Sequence, residues 1–408
     1  MTDIRLSIVI PYRQRLDNIR AVFTSLTEQT LPADHFEVVV GAMEYDPRFT
    51  ALCAEFTDRL HLVSVHTAEE WNTSRARNLG IRHARGTVVV VLDADVALAP
   101  DALRNLWERH YQHGQNICVQ GEVFGYDAVI DDDVDHVAAR PYEVYRSAFG
   151  RLDESDPAGR DPRWDPECAP AFARFPWAFV RTGFMALPAA TIRRHGLFLD
   201  EGFLGWGAED QEWGLRIART GTPIVLGQGV RGIHLPHHRD FAGQDRSATV
   251  TNRYYLGKWP RLDLELALAF GGWLEADRRY PEAERELARA ADGQRLGVVV
   301  GTVEGVRLLV AGVLLAPEGE TGPDGRPVVV DPEAQALFAP GGFAAGQGVF
   351  EHVLPLAGFA LPFEDGSVDV CRLLPRVDRL AAPYRDAVRR EAGRVGLRLL
   401  SAAVPAAA

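Results

Sequence analysis

Between Thr87 and Asp95 the chain reads Thr-Val-Val-Val-Val-Leu-Asp-Ala-Asp. A half-exposed strand alternates apolar and polar residues, so a run of valines without alternation describes a strand buried on both faces. Strands of that kind belong to parallel sheets covered by helices, which restricts the chain to α/β architectures. The run ends in two carboxylates, and the carboxyl edge of an open α/β sheet is where ligands collect. Asp93 and Asp95 are placed to share a hard divalent cation, which in turn holds pyrophosphate oxygens. The same acids also read as ordinary loop residues ahead of Pro100-Asp101, where the next helix opens.

The flanking pattern supports the sheet. Residues 6–11, 36–41 and 60–66 read as strands. Leu16, Ile19, Val22, Phe23 and Leu26 follow the helical period, placing an amphipathic helix over 16–29. Further helices are expected over 47–59 and 74–84. Strands and helices alternating at this spacing form βαβ units and a mostly parallel sheet. Beyond them lie strands over 116–123, 178–187 and 222–226, and a short helix over 188–195 closed by Gly196. Residues 124–176 carry Asp131-Asp132-Asp133 and many prolines and read as irregular.

Composition excludes several functions. A formal net charge of −12 and a pI near 5.5 argue against nucleic acid or an anionic membrane as partner. The first βα turn, Pro11-Tyr12-Arg13-Gln14-Arg15-Leu16, lacks the glycine fingerprint of dinucleotide folds, which argues against nicotinamide and flavin cofactors. Lys258 is the only lysine, so phosphate must be met by arginine, backbone N–H groups or a metal. Cys53, Cys118, Cys168 and Cys371 show no metal-site spacing. No basic-then-apolar leader precedes the first strand, and the apolar stretch 296–316 is broken by Glu304 and Arg307, so a cytoplasmic chain without a membrane span is expected.

Three further stretches carry chemistry. Asn72-Thr73-Ser74-Arg75-Ala76-Arg77-Asn78 opens a helix with a polar cap and two arginines, a setting that suits an anion. Gly205-Trp206-Gly207-Ala208-Glu209-Asp210 is a glycine turn delivering acids to a helix start, where they also serve as plain capping charges. His234-Leu235-Pro236-His237-His238 places imidazoles three apart, able to converge on one cation.

In this order, the Pro-Tyr-Arg-Gln-Arg turn, Asp93-Ala94-Asp95, Gly205 to Asp210 and the His234/His237 pair resemble GT-A glycosyltransferases of the family 2 kind over about residues 4–258. The second half is similar to metal-dependent β-1,4-galactosyltransferases, chondroitin-type polymerases and polypeptide N-acetylgalactosaminyltransferases. The resemblance implies Asp93 and Asp95 as the DXD acids, with Asp95, His234 and His237 binding Mn²⁺ or Mg²⁺. It implies Asp210 as catalytic base, Glu209 beside it against a sugar, and Pro11, Tyr12, Arg13, Arg15, Arg75, Ala94 and Trp206 around a nucleoside diphosphate sugar, expected to be a UDP-sugar. Many family 2 members carry Asp-Asp-Gly-Ser after the second strand. This chain has Gly41-Ala42-Met43-Glu44-Tyr45-Asp46, which leaves open which acid meets the nucleoside, with Glu44 the candidate. The N-acetylgalactosaminyltransferases retain configuration and tend to carry Glu-Asn where this chain has Glu209-Asp210, so inversion is expected.

The fold expected is therefore a GT-A domain, Rossmann-like with a mostly parallel sheet and flanking helices, followed by a helical segment and a small α+β accessory domain. Residues 1–123 form its nucleotide-sugar half, 124–260 its metal and acceptor half, 261–295 a helical hairpin broken near Pro281, and 296–408 the accessory domain. Leu361 to Val370 is similar to a segment of class I methyltransferases, but no Gly-x-Gly loop precedes it. Binding of an acceptor or of a second subunit, as in a homodimer, is the role expected there instead. The acceptor itself, whether glycan, peptide or small molecule, is left open. A retaining enzyme, a sugar nucleotidyltransferase and a non-catalytic scaffold of the same fold are the alternatives.

Overall fold

A computed structural model of the chain describes residues 4–125, 139–150, 160–338 and 350–400. Residues up to Thr251 form one compact unit and residues from Asn252 a second. The first unit contains β1 (Leu6–Tyr12), α1 (Leu16–Thr27), β2 (Phe36–Ala42), α2 (Pro47–Phe56), β3 (Leu62–His66), α3 (Thr73–His83), β4 (Val88–Leu92), β5 (Val96–Leu98), α4 (Ala102–His110) and β6 (Cys118–Phe124). It continues through α5 (Tyr142–Phe149), α6 (Ala169–Arg174), β7 (Phe184–Pro188), α7 (Ala189–His195), α8 (Glu209–Arg219), β8 (Ile224–His234) and the start of α9 (Phe241–Lys258).

The eight strands form one sheet in the order β3-β2-β1-β4-β7-β6-β8-β5. β1, β2, β3 and β4 pair in parallel; β7 runs antiparallel between β4 and β6; β6 and β8 pair in parallel. The result is a mixed GT-A sheet, Rossmann-like with flanking helices. Because β7 reverses between them, β4 and β6 point the same way, and the carboxyl ends of β1, β4, β6 and β8 share one edge.

The valine run is buried on both faces as its composition requires. Val88, Val90 and Leu92 enter one core with Leu6, Ile8, Phe23 and Phe49, whereas Val89 and Val91 enter another with Val9, Ile192 and Trp213. α3 lies close on the sheet through two glycines: a Cβ on Gly41 would overlap the carbonyl oxygen of Ala76, and one on Gly80 would sit 2.5 Å from a Val9 methyl.

Several elements differ from the sequence reading. β5 is a three-residue strand with no periodic signature. The strand expected over 222–226 continues to His234, because Gly227, Gly229 and Gly232 sit within it rather than ending it. The strand expected from 178 begins only at Phe184, since Pro176–Phe179 is a 3-10 turn. Within 124–176, α5 and α6 are regular, and Asp131-Asp132-Asp133 lies outside the described residues.

The second unit carries α10 (Leu262–Phe270), α11 (Trp273–Ala290), β9 (Arg295–Val303), β10 (Val306–Leu315), α12 (Pro332–Leu337), β11 (His352–Leu354), β12 (Val368–Leu373), α13 (Pro375–Asp378), α14 (Ala382–Val395) and β13 (Gly396–Leu400). Its hairpin breaks at Gly271-Gly272, both left-handed with φ of 95° and 108°, and not at Pro281, which sits on the exposed side inside α11. There the carbonyl that loses its N–H partner stays in reach of solvent. The strands form a second, mixed sheet, β11-β9-β10-β12-β13. Inside it, the buried Glu265 carboxylate accepts backbone N–H bonds from Ala357, Gly358 and Phe359 at 2.8, 2.8 and 3.0 Å.

Gly41→Ala forces α3 away from the sheet and is expected to destabilise the first unit by about 1–3 kcal/mol. Gly393→Ala, inside α14 with open space around it, is expected to leave stability unchanged or raise it slightly. Denaturation midpoints of the two variants check this.

Candidate active site

The pairing of β5 with β8 builds the centre of the site. Val96 is registered with His234, and the Leu235 N–H donates to the Asp95 carbonyl at 2.7 Å. Two distant stretches thereby meet at one sheet edge, and potential ligand atoms of Asp95, His234 and His237 lie within 4.8 Å of one another. Asp95 Oδ1 is 3.8 Å from His234 Nε2, and Asp95 Oδ2 is 3.1 Å from His237 Nε2.

The hydrogen-bond roles at this cluster leave room for a cation. His237 Nδ1 lies 2.9 Å from the His238 carbonyl, which can only accept, so Nδ1 carries the proton. Its Nε2 then meets Asp95 Oδ2 either as a second N–H that donates to the carboxylate or as a lone pair that can share a cation with it. Holding the distal nitrogen with a backbone carbonyl is also how metal-ligating histidines are commonly fixed. The other lone pairs are met by guanidinium groups: Arg15 Nη1 donates to Asp95 Oδ2, and Arg239 Nη2 lies 3.0 Å from His234 Nε2. A carboxylate and two imidazoles, with arginines standing in for positive charge, fit a divalent ion of the Mn²⁺ type.

Electrostatics agree. Burial pushes the Asp95 carboxyl up, but its hydrogen bond with His237 and the charge of Arg15 outweigh this and hold it well below the usual range. Burial pushes His234 down to about 4, so its imidazole is neutral at pH 7, the form that ligates metals.

Around this centre, β1 ends in Pro11 and Tyr12, both buried. The Tyr12 ring stacks on Phe49 with centroids 4.0 Å apart, and its hydroxyl is buried without a partner among the described residues. Gln14 and Arg15 both have left-handed backbones, φ 57° and 58°, unusual outside glycine. Glu44 fixes that turn by accepting the Gln14 N–H at 2.5 Å, and Asp46 caps α2 by accepting from Arg48 N at 2.9 Å. A cavity of about 350 Å³ opens beside the turn, lined by Tyr12, Gln14, Arg15, Asn18, Asp46 and Arg48 among others. Arg13 lies over the Trp71 ring, 5.8 Å from its centroid. Arg75 does not reach this centre in the structure: it pairs with Glu201 at 2.9 Å and Glu69 at 3.3 Å.

The two DXD acids separate. Asp95 faces the histidines, whereas Asp93 Oδ1 takes a hydrogen bond from Arg77 at 3.0 Å, and the intervening Ala94 is buried. The same guanidinium donates to Glu209 at 3.1 Å. Glu209 is thereby held inward by Arg77, while Asp210 beside it is half-buried. Trp206 is 56% exposed, its backbone N–H tied to Ser247 Oγ at 2.6 Å. Sequence reasoning named Arg75 and passed over Arg77 as a functional residue. The available signal was position: Arg77 sits one turn before Ile81, on the face of α3 that packs inward.

Residues 7–159 match the model of glycosyl transferase family 2. Over those residues the chain has the pattern of a glycosyltransferase family 2 domain. It is similar to validoxylamine A glucosyltransferase of Streptomyces hygroscopicus subsp. jinggangensis, 29% identical over 301 residues that span 71% of this chain and 70% of that one. It is also similar to chondroitin synthase of Escherichia coli, 25% identical over 56% of this chain and 34% of the synthase. Among solved structures, a mannosyltransferase from Pyrobaculum calidifontis in complex with GDP-Man and Mn²⁺ matches at 20% identity over 71% of this chain and 75% of that one, with a TM-score of 0.45. No helix of this glycosyltransferase is long and apolar enough to cross a membrane, among the described residues.

A depressed folded-state pKa for His234 means that the unfolded chain binds the extra proton first. Stability is then complete above about pH 6.5 and falls as pH drops toward 4. In the presence of a chelator, the loss over that window is expected to be on the order of 3 kcal/mol, and His234→Asn should remove most of it. Denaturant melts at both ends of the window measure the difference.

Proposed function

We propose that this glycosyltransferase is metal-dependent and inverting, moving a hexose from a nucleoside diphosphate donor, a UDP-sugar first, to an acceptor hydroxyl. The observation that carries the reading is the convergence of one carboxylate and two imidazoles, whose potential ligand atoms in Asp95, His234 and His237 lie within 4.8 Å of one another. Asp95, His234 and His237 would hold Mn²⁺ or Mg²⁺, and the ion supplies Lewis-acid neutralisation of the departing diphosphate. The similarity to a glucosyltransferase favours glucose as the sugar to test first.

The chain's own residues divide the remaining work. The cavity beside Tyr12 suits a nucleobase: Asn18, Asp46 and Arg48 offer donors and acceptors at its wall. Arg13 and Arg15, at the end of β1, supply positive charge toward the diphosphate. The exposed Trp206 indole offers a flat apolar face to the acceptor sugar. Asp210 lies in the first turn of α8, where its carboxylate would take the acceptor proton as the new bond forms. Inversion is favoured because the neighbouring carboxylate, Glu209, is engaged by Arg77 and not presented as a second nucleophile. The likeness of the second half to galactosyl- and N-acetylgalactosaminyltransferases is part of the same proposal and rests on Gly205 to Asp210 and His234 to His237.

Hydrolysis of UDP-glucose with Mn²⁺ tests the reading. Asp210→Asn should lower kcat by about 10²–10⁴-fold with little change in KM. Asp95→Ala and His237→Ala should each abolish the thermal stabilisation that UDP and Mn²⁺ give together. Turnover unaltered in all three variants would remove the proposal.

A further inference from the structure

Arg77 has no part in donor binding as described so far, yet it is the most enclosed arginine of the site, with its side chain 4% exposed. It reaches two acids on different elements: Asp93, just after β4, at 3.0 Å, and Glu209, the first residue of α8, at 3.1 Å. Its Nε is buried without a partner, as is the Ser74 hydroxyl one turn earlier on α3. Among the described residues, the two carboxylates are thus the only side chains that fix the guanidinium.

Each acid neighbours a residue of the proposed chemistry. Asp93 stands two positions before Asp95, and Glu209 adjoins Asp210. The backbone before Glu209 is in left-handed conformations at Gly205, Gly207 and Ala208, with φ of 111°, 104° and 64°. The Ala208 carbonyl takes the Glu212 N–H at 2.9 Å and Ser247 Oγ takes the Trp206 N–H at 2.6 Å, which leaves the Glu209 side chain itself to be fixed by a further anchor. α3 is suited to supply it. It is seated on the sheet through Gly41 and Gly80, and its cap Asn72 holds the carbonyls of Glu201 and Phe203 at 2.9 and 3.2 Å, just upstream of the turn.

We infer that Arg77 is a positioning residue that locks Asp93 to Glu209, setting Asp210 at a fixed place relative to Asp95, and that Asp93 serves this lock and not the metal. The inference rests on the proposed reading of Asp210 as base and Asp95 as metal ligand. Loss of the guanidinium would leave two carboxylates in a poorly solvated space with no countercharge, and α8 would start elsewhere. An error of about 1 Å in a catalytic group is enough to cost on the order of a hundredfold in rate.

The test combines Mn²⁺ affinity, read by electron paramagnetic resonance of the free ion, with UDP-glucose hydrolysis. Asp93→Asn should keep Mn²⁺ affinity within about threefold of wild type, while Asp95→Asn should lose about a hundredfold or more. Asp93→Asn and Glu209→Gln should each lower kcat by about 10–100-fold with KM nearly unchanged. The double variant should be no worse than the poorer single one, because both act through one guanidinium. Arg77→Lys should fall with them; if it fails to fold, the two isosteric acid variants decide. Asp93→Asn weakening Mn²⁺ as much as Asp95→Asn, or rate effects that multiply, would overturn the inference while leaving the proposed function intact. A wild-type chain without metal-dependent turnover would remove both.

Discussion

The site depends on a short stretch of strand pairing. β5 is only three residues long, but its register with β8 joins the end of the Asp93-Ala94-Asp95 turn to the start of the histidine cluster, and the Asp95 carbonyl takes the Leu235 N–H at 2.7 Å. Backbone hydrogen bonds hold the ligand set, so the side chains begin from fixed Cα positions. Glycine makes the pairing possible. A Cβ on Gly232 would press against a Val96 methyl, so a larger residue there would push β5 and β8 apart.

Around that pairing the charges form two groups. The outer one contains Asp95, His234, His237, Arg15 and Arg239, with the carboxylate and imidazoles enclosed and Arg15 half-exposed on a left-handed backbone. The inner one contains Asp93, Arg77 and Glu209, where burial works against the arginine's charge but the two carboxylates keep it charged and raise its pKa. One acid of the DXD turn belongs to each group. The two carboxylates of the motif thus have different partners, Asp95 the histidines and Asp93 the Arg77 guanidinium.

Much of this was legible in the sequence, for identifiable reasons. Up to β4 the strands are mostly unbroken apolar runs, the helices follow the 3.6 period, and proline, asparagine and aspartate punctuate them, so local chemistry and tertiary packing agree. β5 was not legible because Val96-Ala97-Leu98 is too short to carry a period. The extension of β8 was hidden because Gly227, Gly229 and Gly232 look like a turn until the neighbouring strand is known to need the space. Asp95, His234 and His237 were legible from residue type and order, but only through resemblance to a family, since no local rule brings an aspartate to histidines so far along the chain. The pairing of Glu209 with Arg77 was not legible. That pairing is a long-range ion pair, and spacing along the chain holds no trace of it.

Anomalous diffraction at the manganese edge, from crystals grown with Mn²⁺ and UDP, addresses the central claim directly. The account predicts one strong peak about 2.0–2.6 Å from carboxylate and imidazole atoms of Asp95, His234 and His237, with Arg15 moved off Asp95. A peak centred on Asp93, or a histidine pair left outside the coordination sphere, would contradict it.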